Sequence, residues 1–140
     1  MSQARSTLTL SLPDDIYQRV RRAAKGMKKP VEQALARIVA GATPSLEKVP
    51  APYRAELEAM EDATDEVLWK ETTRRAAPAQ ERRLKLLLQK NQHRELTDSE
   101  QEELDQLRSE ADRLMLRRSY AYLLLKYRGH RIPGLADLHL

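Results

Sequence analysis

A mainly α-helical chain with one short N-terminal β-strand is what the sequence predicts, on three observations. Apolar residues alternate from Thr7 to Leu12, recur at spacings of three and four from Ile16 onward, and are interrupted by prolines and glycines that fall between the periodic stretches. The same pattern divides the chain into an N-terminal domain 1–43, a proline-rich linker 44–52, and a module 53–140 of helical-hairpin or coiled-coil-like character.

In Thr7-Leu8-Thr9-Leu10-Ser11-Leu12 the leucines share one face of a strand and the hydroxyl residues the other. Pro13 ends the ladder and presets a helix start, with Asp14 and Asp15 where a helix N-terminus favours negative charge. Ile16, Val20, Ala23, Ala24 and Met27 then form the stripe of a first helix, which Gly26 is expected to stop. Pro30 opens a second helix with the stripe Val31, Leu35, Ile38 and Val39, closed by Gly41. No second alternating run exists, so the strand's simplest partner is a second copy of the chain. The expected dimer is a two-stranded antiparallel ribbon with Leu8, Leu10, Leu12, Ile16, Val20, Leu35 and Ile38 in its core and no stable folded monomer.

These residues resemble the ribbon-helix-helix DNA-binding proteins of the Arc and CopG type. The likeness rests on the alternating strand, on Leu12-Pro13 leading to Ile16 and Val20, and on Gly26-Met27 between the helices. It implies a ribbon in the major groove of double-stranded DNA, with base reading assigned to Thr7, Thr9 and Ser11. It also implies a phosphate grip at the start of the second helix. Here the chain departs from the family, with Lys28, Lys29 and Pro30 in place of a capping hydroxyl; the lysines and Arg5 are the phosphate candidates. Many members of the family are antitoxins that repress their own operon and mask a toxin with a C-terminal segment. The plainer alternative is a frayed arm or edge strand beside a solvated positive helix face.

Charge agrees with the pattern. Of a formal net charge of +4, residues 1–43 hold eight basic side chains (Arg5, Arg19, Arg21, Arg22, Lys25, Lys28, Lys29, Arg37) against three acidic, and the remainder is close to neutral. The absence of cysteine removes disulfides and thiolate metal sites. Met1 to Ser6 is polar with no apolar run behind it, and Ala121 to Leu125 is too short to span a bilayer, so a cytoplasmic location without membrane contact is expected.

Beyond the linker, Tyr53 to about Arg75 reads as one helix with an acidic face, in which Asp62, Asp65 and Glu66 are a conceivable carboxylate site but more simply a charged surface. That face could also fold back on the basic first helix and mask it. Trp69 is a packing or partner anchor. Pro78 breaks the pattern, and Gln80 to His93 forms a basic helix with Leu84, Leu87 and Leu88. Thr97-Asp98-Ser99-Glu100 is a capping box that starts a long helix to Arg128, stopped by Gly129 and packed antiparallel on the one before it. Its far end is expected to be free, where Tyr120 and Tyr127 among basic residues are partner-binding candidates or else core tyrosines. The run from Leu96 to His130 resembles a helical segment of small uncharacterised bacterial proteins, which brings no activity with it.

His93, His130 and His139 lack partners at ligand spacing, and no phosphate loop or nucleophile motif is present. The expectation is therefore a non-enzyme without metal or cofactor. It is a homodimeric or higher-order transcriptional regulator, with an antitoxin role and a toxin-like partner as the finer reading. The alternative is a helical adaptor whose ribbon serves dimerisation only.

Overall fold

The structure, a computed structural model, describes residues 4–133. The chain divides into two compact units, one ending at Thr43 and one beginning at Pro44.

The first unit is a helical pair. Helix α1 spans Asp14–Met27 and α2 spans Val31–Ala42. Pro13 and Pro30 stand at the two N-caps in extended conformation, neither with a side-chain cap, and Asp14 and Asp15 occupy the first turn of α1 as the dipole favours. The predicted strand is absent: residues 4–13 carry no regular secondary structure, and the described chain contains no sheet. The fold class is thus corrected from α with one strand to all-helical over the described residues. A strand is stabilised only by a neighbouring ladder, and this chain offers none.

The stop of α1 also differs from expectation. Gly26 is helical, and Lys28 takes the left-handed conformation at φ 55°. Its N–H donates to Lys25 O at 3.2 Å while Lys29 N–H reaches Ala24 O at 3.1 Å, the paired closure of a Schellman turn. Gly41 likewise lies inside α2, whose end is closed by the Thr43 hydroxyl donating to Val39 O at 2.7 Å.

The second unit holds α3 (Ala51–Ala59), a 3-10 turn (Met60–Asp62), α4 (Asp65–Thr72), α5 (Pro78–Gln92) and α6 (Asp98–Tyr127). The single acidic helix expected from Tyr53 to Arg75 is broken at the 3-10 turn, because Thr64 caps a new helix by accepting from Val67 N–H at 3.3 Å. Pro78 does not merely interrupt; it opens α5 at the first turn. The proposed linker belongs to this unit as well. Leu46 and Val49 pack against its core, and Arg54 ties their loop by donating to Val49 O at 2.7 Å and Glu47 O at 3.0 Å.

Helix α6, about 45 Å long at 1.5 Å per residue, organises the unit. The capping box forms as expected, with Glu100 N–H donating to the Thr97 hydroxyl at 3.1 Å and Thr97 N–H to Glu100 Oε1 at 3.2 Å. Arg83–Glu103 at 2.7 Å and Lys90–Glu100 at 2.8 Å pair α5 and α6 in opposite chain directions, which confirms their antiparallel packing. The far end of α6 is not free. Tyr120, Ala121, Leu124 and Leu125 form the main core with Leu57, Met60 and Leu68 from α3, the 3-10 turn and α4. Gly129, at φ 95°, closes the helix, with Gly129 N–H to Lys126 O at 3.0 Å and His130 N–H to Leu125 O at 2.9 Å. Gly134 and His139 lie outside the described residues.

Candidate nucleic-acid interface

The first unit has little interior. Val20, Ala24 and Ala34 are its buried apolar residues among those described, whereas Leu8 is 82% exposed, Leu10 55%, Ile16 40% and Ile38 43%. Leu12 and Leu35 are half-buried. Of the seven residues expected in a dimer core, only Val20 is therefore buried within one chain. Ala34, fully buried, falls outside the stripe that the larger residues of α2 trace in the sequence. Burying Val20 and two alanines removes too little apolar surface to hold a two-helix unit at about 25 cal/mol per Å².

Thr7, Thr9 and Ser11 are exposed on the N-terminal segment, and Arg5 precedes them in the same segment. Lys28 and Lys29 form the exposed turn between α1 and α2.

The two units differ in ion pairing. All ion pairs among the described residues lie in the second unit. None of the eight basic side chains of the first unit pairs with a carboxylate among the described residues. Asp14, Asp15 and Glu32 offset part of this charge at a distance, and the excess faces solvent.

In the second unit a polar seam joins α6 to α3 and α4. Arg117 donates to Glu56 Oε1 at 2.6 Å and to both oxygens of Glu71 at 2.6 and 3.1 Å, and Arg113 donates to Glu56 Oε2 at 2.9 Å. Hydrogen bonding from Arg113 holds Glu56 below the usual carboxylate range, and that from Arg117 does the same for Glu71. Farther along, Arg128 donates to Asp65 Oδ1 at 2.8 Å and to Glu61 O at 2.8 Å, and His130 Nε2 lies 2.6 Å from Asp65 Oδ2. Asp65 is lowered chiefly by Arg128. The acidic face read between Tyr53 and Arg75 is thus largely engaged inside its own unit. Asp65 is tied up in this way, Glu66 makes an exposed pair with Lys70 at 3.7 Å, and Asp62 sits exposed on the 3-10 turn, so the three carboxylates do not converge on a site.

The partner candidates separate. Tyr120 is 4% exposed and donates to Glu61 Oε1 at 2.5 Å; burial, reinforced by that carboxylate, pushes its hydroxyl upward. It is a core residue, not a docking residue. Trp69 keeps a third of its surface and meets His130 edge-on at 6.0 Å between ring centres, while Tyr127 is 48% exposed. Among the described residues no three His, Asp or Glu side chains are placed to share a metal ion, and no helix is long and apolar enough to cross a membrane.

No family model, curated protein or solved structure matches the chain.

Proposed function

We propose that the chain is a DNA-binding transcriptional regulator that works as a homodimer, its first unit engaging double-stranded DNA and its second unit holding further copies or a protein partner. The observation that carries this is the division of charge. In the second unit Arg74, Arg83, Arg113, Arg117 and Arg128 each pair with a carboxylate, whereas in the first none of the eight basic side chains has a carboxylate partner among the described residues. Uncompensated positive charge on a small unit is the electrostatic footprint of a phosphate-binding surface. Thr7, Thr9 and Ser11, exposed on an irregular N-terminal segment, offer short donors and acceptors to base edges; Arg5, Lys28 and Lys29 offer charge to phosphates. Homodimerisation is supported by the exposed Leu8, Leu10, Ile16 and Ile38, which a second copy would cover.

An antitoxin role is the finer form of this proposal, with residues 53–140 capturing a toxin-like protein in the cytoplasm. A second reading, a helical adaptor, is favoured by the apolar side chains left exposed on the second unit, Trp69, Leu123 and Tyr127.

Titrating the protein against DNA from upstream of its own gene and against scrambled DNA, at two salt concentrations, separates the readings. A regulator prefers its own DNA, and the preference survives higher salt. Equal binding that vanishes for both DNAs together as salt rises sinks the regulator and leaves the adaptor.

A further inference from the structure

Helix α1 carries an outward stripe that the proposed base-reading and phosphate residues do not include. Gln18, Arg21, Arg22 and Lys25 stand at i, i+3, i+4 and i+7, so they share one face. They border a single shallow depression in the surface. The core side of the helix, Val20 and Ala24 with half-buried Ala23 and Met27, points the opposite way. Asp14 lies one turn before Gln18 at the start of this face, so the stripe is acidic in its first turn and basic afterwards, running on toward the Lys28–Lys29 turn.

We propose that Arg21, Arg22 and Lys25, with Gln18 one turn before them on the same face, form a second contact to the DNA phosphate backbone, a sequence-blind clamp separate from the base-reading segment. The inference rests on the DNA-binding reading above. The chemistry of the face selects this partner over others. A helix that lies on a membrane inserts apolar residues, and the apolar residues of α1 face α2 or sit at its start instead. A protein interface is anchored by buried aromatic or aliphatic side chains and is poor in lysine, and this stripe has no such anchor. Guanidinium and ammonium groups with no carboxylate partner among the described residues match a row of phosphates, which requires charge and hydrogen-bond donors but no pocket.

The test is the triple variant R21Q/R22Q/K25Q of the full chain, compared with the unmodified chain on upstream and scrambled DNA across a salt series. For every phosphate that the variant no longer neutralises, the slope of log affinity against log salt should fall by about 0.9 per protomer. The expected result is a shallower slope and the same fold-loss on both DNAs, with preference between them unchanged. The charge-keeping variant R21K/R22K should retain the slope, and unchanged circular dichroism confirms the helices. An unaltered slope in a triple variant that still binds DNA overturns the clamp and leaves the regulator standing. Absence of DNA binding by the unmodified chain, or binding only to anionic lipid vesicles, overturns both.

Discussion

Arg117 on α6 clasps Glu71 on α4 with both prongs of its guanidinium, Nη2 to Oε1 at 2.6 Å and Nε to Oε2 at 3.1 Å. The side chains are 15% and 13% exposed, and Nη1 of the same arginine reaches Glu56 on α3 at 2.6 Å. One cation therefore fixes three helices. Replacing it by methionine takes the bidentate partner from Glu71 and leaves Glu56 with Arg113 alone. R117M should lose about 2 kcal/mol, the scale of hydrogen bonds to charged groups. The check is a lower urea midpoint at unchanged slope. R117K should recover only part of the loss, because an ammonium lacks the fork.

The same seam sets a pH dependence. Glu56 and Glu71 are both held below the ordinary glutamate value by their arginine hydrogen bonds. A carboxylate with a depressed folded-state pKa adds stability above its unfolded value, and that stability is lost as pH falls through the folded value. Stability should hold from neutrality to about pH 5 and decline below it, over the range where the unfolded chain takes up protons first. Urea midpoints measured between about pH 7 and about pH 3 should fall less steeply for R117M, where Glu56 and Glu71 are without that partner. A parallel decline would show that other groups control acid unfolding.

How much of this was legible in the sequence depended on range. The capping box at Thr97 and Glu100 and the stop at Gly129 were readable because both are made by residues within a few positions of one another. The seam was not: Arg117 and Glu56 are 61 residues apart, and nothing local distinguishes Glu56 or Glu71 from their acidic neighbours. The break of the acidic helix had a local signal, Thr64 as a cap residue ahead of Asp65 and Glu66, which the loose apolar stripe of Tyr53, Leu57, Met60, Val67 and Leu68 runs across without a gap in helical phase. The strand failed for another reason. Alternation in Thr7 to Leu12 specifies which side chains share a face, but a ladder needs a neighbour, and one chain supplies none. For the candidate interface, residue types and net charge were legible, whereas the absence of ion pairs around those charges among the described residues required the structure.

A dimer that covers the exposed leucines should be broken by placing charge among them. Leu10 is 55% exposed in one chain, so L10E costs the isolated chain almost nothing, yet it buries an unpaired carboxylate in any interface built there. Sedimentation should report a shift from dimer toward monomer, with the helix content of α1 and α2 falling alongside it, because Val20, Ala24 and Ala34 alone bury too little to hold the pair. DNA affinity should drop with it, since the protomers no longer add their charge. A dimer unaffected by L10E would move the interface to the second unit, and L123E, at a site 52% exposed on α6, then becomes the informative variant.

Lys28 offers the sharpest separation of stability from function. It closes α1 at φ 55°, a conformation that costs an ordinary side chain about 1 kcal/mol and glycine almost nothing. A lysine kept there is explained if its charge is used. K28G should therefore raise the thermal midpoint, by the few degrees that about 1 kcal/mol represents, while weakening DNA binding and lowering its salt slope by about 0.9 per protomer. K29A, which removes a neighbouring charge without relieving a left-handed residue, should reproduce the binding loss without the gain in stability. If K28G is more stable and binds DNA as tightly as the unmodified chain, the lysine touches no phosphate and the grip lies elsewhere on the basic surface.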